Sequence, residues 1–74
     1  MDTITKQKLE MWTSKKAGLE KELKLAFTRK GEAAAMGDLS ENAAYKGAIE
    51  DIEMYQARIS DINKILAELE STKK

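Results

Sequence analysis

The 74-residue sequence contains no cysteine, no histidine and no proline. Without cysteine and histidine, the chain cannot form a disulfide, a zinc site of the Cys/His kind, or a Ser-His or Cys-His nucleophile. Turn residues and β-branched residues are too few for a sheet protein of this size. The composition is 42% hydrophobic and 35% charged and is rich in Ala, Glu, Lys and Leu, which predicts an all-α protein built from long helices.

Long hydrophobic runs and an excess of one charge are also lacking. No run approaches the roughly 20 residues needed to span a bilayer, and no signal-peptide pattern appears at the start. The 13 basic and 13 acidic residues cancel, so whole-molecule attraction to nucleic acid is not expected. We expect residues 1–74 to form a single small cytoplasmic domain, with no membrane partner and no second domain in this chain.

Two seams of residues recur at alternating spacings of three and four. This is the heptad rhythm of a narrow contact stripe between helices. The first seam consists of Leu9, Trp12, Lys16, Leu19, Leu23, Ala26, Lys30 and Ala33. The second seam consists of Tyr45, Ala48, Ile52, Tyr55, Ile59, Ile62, Leu66 and Leu69. Leu25 and Phe27, beside the first seam, are expected to widen its apolar face.

The helix ends carry recognisable signals. Thr5 suits the N-cap of the first helix. Gly37 suits the residue that ends this helix in a left-handed conformation. Asp38 suits the N-cap of the second helix, with Glu41 three residues later completing a capping-box-like pair.

We therefore predict a long antiparallel two-helix coiled-coil hairpin with a functional tip turn at residues 37–42. Helix one is expected at about 5–36, the turn itself at 37–40 and helix two at about 41–70. Each helix of roughly 30 residues would be about 45 Å long, and each would be only marginally stable without a partner. The alternative is one continuous helix that dimerises, and the turn signals argue against it.

Asp38 and Glu41 admit two interpretations. On spacing alone they are helix-capping residues, because carboxylates favour the positive end of a helix. Alternatively, the tip presents two neighbouring carboxylates, which can hold a divalent metal or act as acid and base. Two exposed carboxylates cannot complete an octahedral Mg²⁺ site, and a two-helix hairpin offers no cleft for a substrate. The tip could therefore complete a site that belongs to another protein.

The stretch Gly37-Asp38-Leu39-Ser40-Glu41-Asn42-Ala43-Ala44-Tyr45 resembles the tip motif of the bacterial Gre transcript-cleavage factors, GDLxENAEY. The resemblance extends over the whole chain as that family's N-terminal coiled-coil domain. It implies a hairpin that enters the secondary channel of bacterial RNA polymerase and stimulates the polymerase's own cleavage of backtracked RNA. The implied partners are the polymerase and the nascent RNA 3′ end, with DNA met only through the elongation complex. The factor itself would not be an enzyme.

The resemblance also assigns roles to residues. Asp38 and Glu41 would help to hold the second Mg²⁺ ion and the attacking water, together with ligands of the polymerase. We expect no stable binding of Mg²⁺ by the chain alone. The residues that would support the tip are Gly37, Leu39, Asn42 and Tyr45. The basic residues that would face RNA or polymerase are Lys24, Arg29 and Lys30.

Simpler structural roles can also explain the tip-supporting residues and the basic residues. Leu39 and Tyr45 are explained as well by packing, and the three basic residues by an ordinary solvated helix face. Asn42 can brace either the turn or the acids. Ala34 and Ala44 stand where the family pattern has an arginine and a glutamate. Two alternatives therefore stay open: a channel-binding regulator or inhibitor without cleavage activity, and a structural or adaptor coiled coil.

Overall fold

Two long helices and a short turn make up the fold. The computed structural model describes residues 2–71, with the side chain of Leu39 excepted. Helix α1 spans Thr3–Ala35 and helix α2 spans Ala43–Ser71, and a single 3₁₀ turn at Leu39–Glu41 connects them. The helices pack antiparallel into a hairpin that measures 54 × 15 × 12 Å.

This architecture confirms the predicted all-α hairpin and excludes one continuous helix. Helix α1 begins at Thr3, two residues before the expected start, and α2 begins at Ala43, two residues after the expected start. Within residues 2–71, no helix has the length and apolarity needed to cross a membrane.

Burial follows the two predicted seams. All eight seam residues of α1 are buried or half-buried, and Thr5 is the one other residue of this helix that is not exposed. The eight seam residues of α2 are likewise buried or half-buried. Leu25 and Phe27 do not widen the seam, since they are 45% and 47% exposed. A helix with a single partner buries only the stripe that repeats every 3.5 residues, and these two side chains lie outside it.

The core between the helices is thin. Its buried residues are Ala26, Ala33, Ala48, Ile52 and Ile62. Three of the five are alanines, and all three lie in the half of the hairpin nearer the turn. Because two helices in contact bury little apolar surface, the hydrogen bonds at the helix ends matter more here than in a larger domain.

Helix α1 begins on Asp2 and not on Thr5. The Asp2 carboxylate accepts hydrogen bonds from Thr5 N–H at 2.6 Å and from Thr5 Oγ1 at 3.1 Å. The prediction that Thr5 is the N-cap is wrong because Asp2 is also a strong capping residue and stands at the three-residue spacing of an N-cap bond. The hydrogen bond from the Thr5 backbone N–H is the largest cause of the lowered pKa of Asp2.

Helix α1 ends through Met36 and Gly37. The Met36 N–H donates to the Ala33 carbonyl at 3.1 Å, and Gly37 follows at φ 140°, which side-chain-bearing residues rarely adopt. The predicted positive φ at Gly37 is confirmed. A Cβ there would meet no atom within 4 Å, so the backbone conformation, and not a lack of space, requires glycine.

Replacing Gly37 by alanine should lower the free energy of unfolding by about 1–2 kcal/mol, because alanine is strained at positive φ. Gly31 provides a matched control. It lies inside α1, and a Cβ there also meets no atom within 4 Å, so Gly31→Ala should raise stability by about 1 kcal/mol. Urea denaturation followed by far-UV circular dichroism measures both changes. Two changes of the same sign would contradict the backbone conformation assigned to Gly37.

Candidate functional site

Asn42 holds the connection between the two helices. Its Oδ1 accepts a hydrogen bond from the Tyr45 N–H at 3.0 Å and so caps α2. Its Nδ2 donates to the carbonyl of Ala33, in the last turns of α1, at 2.8 Å. That carbonyl also accepts the Met36 N–H. One amide side chain therefore begins α2 and ties it to the end of α1.

The predicted N-cap at Asp38 is wrong, because Asn42 caps α2. The capping box of Asp38 with Glu41 does not form, since the 3₁₀ turn at Leu39–Glu41 comes between Asp38 and the first residue of the helix, Ala43. Asparagine is as good an N-cap as aspartate, so the two residues were equivalent on chemistry alone. Of the two roles left open for Asn42, the structure shows that it braces the turn.

Asp38 forms a tight turn with Ser40. Its Oδ1 accepts hydrogen bonds from the Ser40 N–H at 3.0 Å and from the Ser40 hydroxyl at 2.8 Å. An aspartate is ionised at neutral pH already at its ordinary pKa, and the Ser40 hydroxyl first, then the Ser40 backbone amide, lower the pKa of Asp38 further. Among the described residues, no group donates to Oδ2. An ionised carboxylate with one free oxygen suits a hard cation such as Mg²⁺.

Glu41 completes the tip. It is the last residue of the 3₁₀ turn, and its side chain is exposed, as is that of Asp38. The described part of the chain holds no cluster of three or more metal-binding side chains. Because Mg²⁺ demands near-octahedral coordination, two carboxylates can bind it firmly only with ligands from another molecule.

The predicted basic residues have different surroundings. Arg29 Nη2 lies 3.7 Å from Asp51 Oδ2, and both side chains are 48% exposed. Lys30 Nζ lies 6.0 Å from the centre of the Tyr45 ring, and both residues are half-buried in the seams, whereas Lys24 is exposed. An exposed ion pair contributes about 0.2–1 kcal/mol, so Arg29 can leave Asp51 at little cost.

Two tip residues were absent from the predicted site. Ser40 makes both bonds to Asp38, and a serine two residues after an aspartate is a turn signal that could have identified it. Met36 is 81% exposed, and no sequence signal distinguishes it from the other methionines. The predicted residue Leu39 begins the 3₁₀ turn, but its side chain lies outside the described residues.

Comparison with known domains identifies the family. The model described as the N-terminal domain of transcription elongation factors, which represents the Gre factors, matches residues 3–70. The chain belongs to the Gre family. Its matched range includes both helices and the tip turn, so the hairpin is the Gre N-terminal coiled-coil domain. The searches of curated proteins and of solved structures return no match.

We expect Asn42→Ala to lower the free energy of unfolding by about 2 kcal/mol. The change removes the N-cap of α2, worth about 1 kcal/mol, and one partner of the Ala33 carbonyl, worth about 1 kcal/mol. Asp38→Asn should have a much smaller effect, because Asp38 does not cap α2. Urea denaturation of the two variants tests this order, and a greater loss of stability in Asp38→Asn would contradict the assigned cap.

Proposed function

We propose that this hairpin enters the secondary channel of RNA polymerase and stimulates the polymerase's own cleavage of backtracked RNA. Membership of the Gre family makes the chain an accessory transcription elongation factor domain and not an enzyme. The observation that supports a role in RNA cleavage is the pair of exposed carboxylates at the tip. Asn42 caps α2, so Asp38 and Glu41 are free to act on a partner.

The shape of the hairpin supports this proposal. It is 54 Å long and only 15 × 12 Å across, so its tip can reach the end of a narrow channel while the chain ends stay outside. Among the described residues, Asp38 and Glu41 are exposed and do not lie in an enclosed cleft. The reacting groups would therefore be those of the polymerase, with the hairpin supplying what the polymerase site lacks.

In the proposed mechanism, Asp38 Oδ2 and the Glu41 carboxylate would hold the second Mg²⁺ ion together with polymerase ligands. When bound, that ion would stabilise both the attacking oxygen of the water and the leaving oxygen of the RNA. Asp38 contributes a carboxylate in a fixed turn, because Ser40 holds its other oxygen. The donor set of two carboxylates fits a hard, oxygen-preferring cation.

The basic side chains of α1 would contribute to RNA binding. Lys24 is exposed. Within residues 2–71, Arg29 would give up a single weak ion pair, that with Asp51. Lys30 is less available because it lies over Tyr45. Two or three phosphate contacts would add a modest attraction for the nascent RNA that weakens with salt. DNA would be met only within the elongation complex. Bacterial RNA polymerase as the partner implies action in the cytoplasm.

A cleavage assay on stalled, backtracked elongation complexes tests the proposal. Adding the chain should accelerate release of the RNA 3′ fragment. The double variant Asp38→Asn, Glu41→Gln should lose the acceleration and keep its binding to polymerase, because it removes the charges and keeps the shapes. The matched control is Glu10→Gln, Glu68→Gln, which neutralises two exposed carboxylates near the opposite end of the hairpin and should behave as the parent chain.

Other results would favour the alternatives. Binding to polymerase without acceleration would contradict the proposal and favour a regulator that only occupies the channel. Absence of binding would favour a structural or adaptor coiled coil. Since Ala34 and Ala44 replace charged residues of the family pattern, we expect a smaller acceleration than those charges would give.

A further inference from the structure

We propose that Ser40 is a positioning residue for Asp38, which holds one carboxylate oxygen so that the other has a defined place in the metal site. The inference rests on the proposed function, since it gives Ser40 a part in Mg²⁺ binding by Asp38. Ser40 occupies the position that the family motif leaves undefined.

Both donors to Asp38 come from this one residue and reach the same oxygen. The Ser40 N–H lies 3.0 Å and the Ser40 hydroxyl 2.8 Å from Oδ1. The end of an aspartate side chain ordinarily rotates over a broad range. Here rotation would break two hydrogen bonds, so the position of Oδ2 is restricted even though the side chain is exposed. Restricting a side chain before it binds reduces the entropy lost on binding.

Ser40 is not needed to end or begin a helix. Helix α1 ends through Met36 and Gly37, and α2 begins on Asn42. The hydroxyl of Ser40 is exposed and bonds only Asp38 among the described residues. The effect of this hydroxyl is therefore local to the Asp38 carboxylate, which separates it from a general role in folding.

The first test varies Mg²⁺ in the RNA cleavage assay. Ser40→Ala should raise the Mg²⁺ concentration for half-maximal acceleration roughly three- to tenfold, with most of the maximal acceleration kept. Ser40→Thr keeps a hydroxyl and should restore the parent value. Ser71→Ala is the matched control, because it removes a serine hydroxyl bonded to the Glu68 carbonyl at the opposite end of the hairpin, and it should leave the Mg²⁺ dependence unchanged.

The second test needs no polymerase. NMR measurement of the side-chain scalar couplings of Asp38 should report one rotamer in the parent chain, averaging over rotamers in Ser40→Ala, and one rotamer again in Ser40→Thr, because the hydroxyl holds Oδ1. Circular dichroism confirms that the variants stay helical. A change in stability with unaltered couplings and unaltered Mg²⁺ dependence would make Ser40 a turn-forming residue only and would overturn the inference.

Asp38→Asn separates the two possible failures. If this variant leaves RNA cleavage unchanged, the proposed function is wrong and the inference falls with it. If Asp38→Asn abolishes the acceleration while Ser40→Ala matches the parent chain in Mg²⁺ dependence, the proposed function stands and the inference alone is overturned.

Discussion

The hairpin depends on one backbone carbonyl, that of Ala33. It accepts the Met36 N–H, which ends α1, and the Nδ2–H of Asn42, whose Oδ1 begins α2. A carbonyl in the last turns of a helix has no partner further along that helix, and Ala33 is only 4% exposed to water. Since the buried residues nearby include three alanines, which bury little apolar surface, these bonds help to fix how the two helices meet.

The fold could be predicted because both seams keep the heptad spacing and Gly37 marks the only clear break between them. The heptad spacing did not predict the exposure of Leu25 and Phe27, because their exposure depends on how many helices pack against α1. The N-cap of α2 was also unpredictable. Asp38 and Asn42 offer equivalent chemistry, and only the path of the 3₁₀ turn decides between them.

The position of the candidate site at the tip followed from the sequence, but its chemistry did not follow from spacing. Asp38 and Glu41 are as typical of a helix start as of a metal site. The Gre motif suggested the second interpretation. The structure strengthens that interpretation in one respect, because Asn42, and neither Asp38 nor Glu41, caps α2. Folding and the proposed chemistry are thus assigned to neighbouring but different side chains.

The hydrogen bonds of the turn are independent of the seams of the helices, so the length of the hairpin can change without a change in the tip. The bonds that close the tip lie within residues 33–45, and beyond them both seams simply repeat every seven residues. A paired insertion of one heptad in each helix would keep the seams in register and move the carboxylates outward by about 10 Å. A paired insertion of a single residue would instead turn both seams by about 100°. Insertion of whole heptads can therefore change how far the hairpin carries its carboxylates without disturbing the contact between its helices.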